Sequence, residues 1–133
     1  MARALRQLAA ALRRYALGLP GAYEEFPWGE PVFKVRGKIF LFLGTEPGEV
    51  SVTVKLPRSS GGALMLPYVE PTGYGLFRSG WVSATITRDT AAPLALLLEW
   101  IDESYAAVAP KGRRGAPRLS RQRRSGDDGR GSR

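Results

Sequence analysis

A chain of 133 residues, 44% of them hydrophobic, has the material for one domain with its own core. It contains no Cys and no His, which removes disulfides, thiolate nucleophiles, imidazole bases and the usual zinc ligands together. A binding protein without metal or cofactor is therefore expected instead of an enzyme. The formal charge of +8 is unevenly placed: residues 110–133 carry nine Lys or Arg against two Asp, and the rest of the chain is nearly neutral.

The first residues, M-A-R-A-L-R-Q-L-A-A-A-L-R-R, are Arg-rich and acid-free, as a transit peptide would be. The pattern nevertheless runs into the domain without a break. Leu5, Leu8, Leu12, Tyr15 and Ala16 recur at three- and four-residue steps and predict an amphipathic helix over 3–17, stopped by Gly18 and Pro20-Gly21. Arg6, Arg13 and Arg14 lie on its other faces and read as a solvated surface. No run has the length of a membrane span, so a cytoplasmic protein with no membrane association is expected.

Residues 23–31 read Y-E-E-F-P-W-G-E-P. Pro27, Gly29 and Pro31 favour turns and extended backbone, which predicts a connection. Glu24, Glu25 and Glu30 have the chemistry for a metal or acid–base site; the plainer expectation is that Glu24 and Glu25 pair with nearby Arg and Lys. Phe26 and Trp28 are expected as lids over the edge of the core.

Strands are then expected at 32–36 and 50–55 from period-two alternation and at 38–43 from a run apolar enough for a central strand, with a tight turn at Gly37 and a loop at 44–49. Pro57 ends the third, and Ser59 or Ser60 suits the start of a short helix through Ala63 to Leu66. After a loop at 68–73, a second hairpin is expected from strands 74–78 and 81–87 around Ser79-Gly80. Residues 93–108 carry Leu94, Leu97, Leu98, Ile101, Tyr105 and Val108 as one apolar stripe, with Glu99, Asp102 and Glu103 facing away. Residues 110–133 show no periodicity and predict a basic disordered tail after a single domain over 1–109.

These elements give an α+β fold of two layers, in the order α-β-β-β-α-β-β-α. An antiparallel sheet of about five strands would have helices on one face. The opposite, wet face would show Lys34, Arg36, Ser51, Thr53, Lys55, Arg78, Trp81, Ser83, Thr85 and Thr87, with no acidic residue among them.

Three separated segments, L-P-G-A-Y-E-E-F-P-W-G-E-P-V-F-K-V-R-G-K at 19–38, S-G-W-V at 79–82 and I-D-E-S-Y at 101–105, resemble the MmcQ/YjbR family over about the first 110 residues. The resemblance implies a two-layer fold similar to secretion chaperones. It also implies DNA binding, by analogy with a phage transcription-factor domain that meets DNA with its sheet face. It carries over no catalytic residues, and Phe77 stands where a glycine is common.

Two functions are open at this point. In one, Lys34, Arg36, Lys38, Lys55 and Arg78 neutralise DNA phosphates, Trp81 packs on sugar or base, and the tail, beginning with Lys111, Arg113 and Arg114, adds nonspecific attraction. In the other, Trp28, Tyr68, Tyr74 and Trp81 form an aromatic patch that binds a protein partner.

Overall fold

The structure is a computed structural model that describes residues 3–109. Helix α1 (Arg3–Leu17) leads into β1 (Ala22–Glu25), β2 (Val32–Val35), β3 (Lys38–Glu46) and β4 (Glu49–Lys55). The short helix α2 (Ser60–Ala63), β5 (Val69–Pro71), a 3₁₀ turn (Leu76–Ser79), β6 (Trp81–Ile86) and helix α3 (Leu94–Val108) follow. All strand pairs are antiparallel, in the spatial order β1-β2-β3-β4-β6-β5. The expected two-layer α+β architecture is present with six strands where the sequence predicted about five.

Helices α1 and α3 share one face of the sheet. Leu5, Leu12 and Ala16 of α1 and Leu97, Trp100 and Ile101 of α3 meet Phe33, Val35, Leu41, Leu43, Val50, Val52 and Val54 there, and all are buried. Alternation in β4 is strict, Val50, Val52 and Val54 inward and Ser51, Thr53 and Lys55 outward. In β3 it is broken by a bulge. Phe33 pairs with Leu41 and Lys34 with Ile39, so Phe40 is an extra residue on the β3 side, and both Phe40 and Leu41 enter the core.

Three expectations are corrected. Residues 23–25, expected as part of a connection, lie in edge strand β1, in which Glu24 turns toward α1 and accepts a bidentate bond from Arg13 at 2.8–3.2 Å. Residues 69–71, read as loop, form β5. Residues 74–78 do not form a strand: Tyr74 and Gly75 both have positive φ, 60° and 78°, which turns the chain into the 3₁₀ segment instead of an extended arm. The partner of β6 on that side is therefore β5.

The I-D-E-S-Y segment of α3 ties the layers together. Asp102 accepts from the Tyr15 hydroxyl at 2.7 Å. Glu103, buried rather than outward-facing, accepts from the Arg58 and Ser59 amides at 2.8 and 3.0 Å and from the Ser59 hydroxyl at 2.6 Å. It thus supplies the cap for α2 that the Ser59 side chain does not. Ser104 donates to the Phe40 carbonyl at 2.6 Å and accepts from the Lys55 amide at 2.8 Å. The Tyr105 ring meets Phe40 edge-on at 5.4 Å, and its hydroxyl donates to the Pro20 carbonyl at 2.6 Å.

Burial alone would push the Glu103 carboxyl up; the Ser59 hydroxyl, the Arg58 and Ser59 amides and the Arg58 charge outweigh it and hold the group below its ordinary value. A carboxyl with a folded-state pKa below its unfolded one stabilises fully above the unfolded value, about 4.3. That stabilisation is lost as pH falls through the folded value. Glu103→Gln should therefore be less stable than the parent at neutral pH and lose less on acidification below about pH 4. Parallel acid-unfolding curves for the two would contradict this role.

Candidate nucleic-acid interface

The sheet face opposite the helices is less basic than its sequence suggests. Lys34 forms an ion pair with Glu25 at 3.0 Å, and this bond raises the ammonium pKa despite partial desolvation. Glu70 lies opposite Ser83 on the same face, through the β5–β6 pairing. The expectation of a face without acidic residues is thus corrected: β1 and β5, the two strands not predicted, each bring a carboxylate.

The middle of this face is apolar and hydroxylic. Trp81 is only 9% exposed and meets the Phe42 ring edge-on at 5.7 Å, reaching across β4. Val32, the cross-strand partner of Phe42, is buried beside them. Ser83 Oγ lies 3.0 Å from both Thr53 Oγ1 and Thr72 Oγ1, linking β4, β6 and the residue after β5. Trp81 therefore has little surface to offer a ligand.

Charge is sorted along the strands. At one end lie Glu25, Glu30 and the β3–β4 turn with Glu46 opposite Glu49. At the other end, Val35 pairs with Lys38 across the Arg36-Gly37 turn, and Lys55 pairs with Trp81, immediately after the 3₁₀ turn that carries Arg78. Arg58 follows Lys55 and Pro57 at this end; its side chain is 81% exposed and 3.9 Å from Glu103. Of the residues singled out in the sequence, Arg36, Lys38, Lys55 and Arg78 are brought to this end, and none has an ion pair among the described residues. Lys34 lies inward of them, beside Glu25. Arg58 was missed by the sequence reading; its position directly after a strand-ending Pro57 was the available signal.

The geometry of the basic end is built locally. Arg36 and Gly37 have φ of 52° and 84°, the sign pair that a two-residue type I′ hairpin turn needs. The Gly37 amide donates to the Tyr23 hydroxyl at 3.2 Å, bracing the turn. The Leu56 amide donates to the Gly80 carbonyl at 2.8 Å, which holds the 3₁₀ turn against the end of β4.

The aromatic residues do not form one patch. Trp28, 72% exposed, and Phe26, 60% exposed, lie in the β1–β2 loop toward the acidic end and do not act as core lids. Tyr68 is half-buried against the core and Trp81 is buried, whereas Tyr74 stands in solvent at the basic end. Helix α3 also finishes at the basic end, since Ser104 reaches Lys55 and Tyr105 reaches Phe40 and Pro20, and the Ala109 amide donates to the Tyr105 carbonyl. Lys111, Arg113, Arg114 and the predicted disordered tail lie outside the described residues.

Among the described residues no group of three or more acidic side chains is placed to hold a metal ion, and no helix is long and apolar enough to cross a membrane. No functionally curated protein matches the chain. The crystal structure of the Deinococcus radiodurans protein DR2400, which carries the family-model domain DUF419, is similar over 84% of this chain and 85% of that one, with 28% identity and a TM-score of 0.63. A Pseudomonas syringae protein of known structure shares the fold at 18% identity and a TM-score of 0.50, over 76% of this chain and 96% of that one. The YjbR family model matches residues 17–107, which run from the end of α1 almost to the end of α3 and take in every strand. Fold, motif segments and family match agree, and the chain belongs to the YjbR family.

Proposed function

We propose that this chain binds DNA through the basic end of its sheet, with the sheet face itself contributing little. The observation that carries the reading is the sorting of charge: Arg36, Lys38, Lys55, Arg58 and Arg78 gather at one end, and Glu25, Glu30, Glu46 and Glu49 lie at the other. Such a dipolar surface orients a polyanion toward one end and repels it from the other. The tail leaves the domain from the same end, after Ala109, and its sequence would add nine cations to that attraction. The contacts are to phosphates, so binding tolerates many sequences. The reading assigns no catalytic step and carries with it a cytoplasmic site of action.

Reversing two of these charges tests it. Lys38→Glu with Arg78→Glu should weaken DNA binding at least about tenfold at moderate salt, because two phosphate contacts are replaced by repulsion. Glu46→Lys at the far end should leave affinity unchanged or raise it slightly. Equal affinities for the parent and the double charge-reversal variant, measured by anisotropy of a labelled oligonucleotide, would rule out the basic end.

A protein-binding adaptor is the second reading, favoured by the exposed apolar side chains Leu64, Met65, Leu76 and Phe77 near that end. It differs from the aromatic patch expected from the sequence, because Trp81 is buried and Trp28 lies at the opposite end.

A further inference from the structure

The basic end also carries two aromatic rings for which the fold has little use. Tyr74 is wholly exposed, so its ring gains nothing from packing, and its φ of 60° puts a bulky side chain in the left-handed region that favours glycine. Three residues on, Phe77 is 49% exposed, and the Arg78 guanidinium sits 5.9 Å from its ring centroid. The 3₁₀ turn that presents Phe77 and Arg78 is fixed to the end of β4 by the Leu56–Gly80 bond, and Lys55 and Arg58 flank that bond in sequence. Packing accounts for about half of the Phe77 surface and for none of Tyr74's; a strained, solvent-facing tyrosine at the cationic end of the sheet points to a ligand.

From this we infer that the site takes a single DNA strand in preference to duplex, with Tyr74 and Phe77 stacking on bases while Lys55, Arg58 and Arg78 hold the phosphates. The inference rests on the proposed role of the basic end. In a duplex both faces of each base are covered by its neighbours, so exposed rings meet only the sugar–phosphate surface. A single strand can turn its bases out, and aromatic side chains beside a cationic track are how such strands are held without sequence readout.

The test uses the full chain with a labelled oligothymidine of about twelve nucleotides, a span within the range one small domain covers, and a duplex of equal length. The parent should bind the single strand more tightly than the duplex. Tyr74→Ala combined with Phe77→Ala should weaken single-strand binding by at least about fivefold, the effect of losing one weakly stacked base, and change duplex binding by less than about twofold. Tyr74→Phe should bind the single strand as the parent does, which separates stacking from any hydroxyl contact. Tyr74→Ala alone serves as the variant with no packing to lose. If the alanine variants bind the single strand like the parent, or lose both DNA forms equally, the stacking inference is overturned. The basic-end reading then stands or falls separately on the Lys38→Glu, Arg78→Glu variant. If the parent binds neither form, both readings are overturned.

Discussion

Ser104→Ala should lower the unfolding free energy by about 2–4 kcal/mol, the combined cost of leaving two buried backbone groups without a partner. Ser104 is wholly buried on the sheet side of α3, where its one hydroxyl donates to the Phe40 carbonyl and accepts from the Lys55 amide. The bulge in β3 is what creates this need. With Phe40 unpaired in the ladder, its carbonyl turns toward α3, and the end of β4 presents an amide close by. Alanine fits the space but satisfies neither group. Chemical denaturation should show the midpoint moving with the slope unchanged, the sign of lost stability without a change in the surface exposed. A shift under about 0.5 kcal/mol would mean that water or a neighbour takes over both bonds.

Gly80→Ala should be comparably costly, about 2–4 kcal/mol, for a different reason. Gly80 has φ of 94°, and a Cβ there would lie 2.9 Å from the Leu56 carbonyl oxygen, which is backbone and cannot swing away. The strain of a left-handed residue and the clash act together, and relief requires the 3₁₀ turn to move off β4. Gly75→Ala is the comparison: φ is 78° but nothing lies within 4 Å of the added Cβ. It should cost only about 1 kcal/mol of backbone strain. Gly80→Ala, by displacing Phe77 and Arg78, should also weaken DNA binding in the fraction that remains folded; equal stability of the two alanine variants would show that the clash is relieved locally.

Sequence pattern was sufficient for α1, β2, β4, β6 and α3, where apolar residues recur at the helical or the period-two spacing, and for β3 through its continuous apolar run. It failed for β1, A-Y-E-E, because the inner face holds only Ala22 and Glu24, which bonds Arg13 of α1, and the outer face holds Tyr23 and Glu25, which bonds Lys34. It failed for β5 because three residues ending in Pro71 form a strand only by lying along β6. The bulge at Phe40 is invisible in the run I-F-L-F-L, which is apolar on both faces. Glu103 was read by residue type as outward. Yet Ser104 stands seven residues after Leu97 and three after Ile101, on the buried stripe, and a polar residue there signals a buried bond.

For the candidate site, residue types were legible but their pairing was not. The sequence offered Lys34 and Trp81 as contacts; the structure joins Lys34 to Glu25 and buries Trp81 against Phe42. It gathers Arg36, Lys38, Lys55 and Arg78 at one end, because the β2–β3 turn, the end of β4 and the start of β6 fall at the same level of the sheet. Long-range register decides this, and no local pattern reports it.

The most direct test is a salt titration of DNA binding with the chain ended at Ala109, a cut that keeps α1, α3 and the whole described core, beside the full chain. If about five cations of the folded part meet phosphates, the shortened chain should still bind, with a log–log salt slope between about −3.5 and −4.5, and the full chain should be steeper. A shortened, folded chain that fails to bind even at low salt would contradict the account and leave any affinity for DNA to residues 110–133 alone.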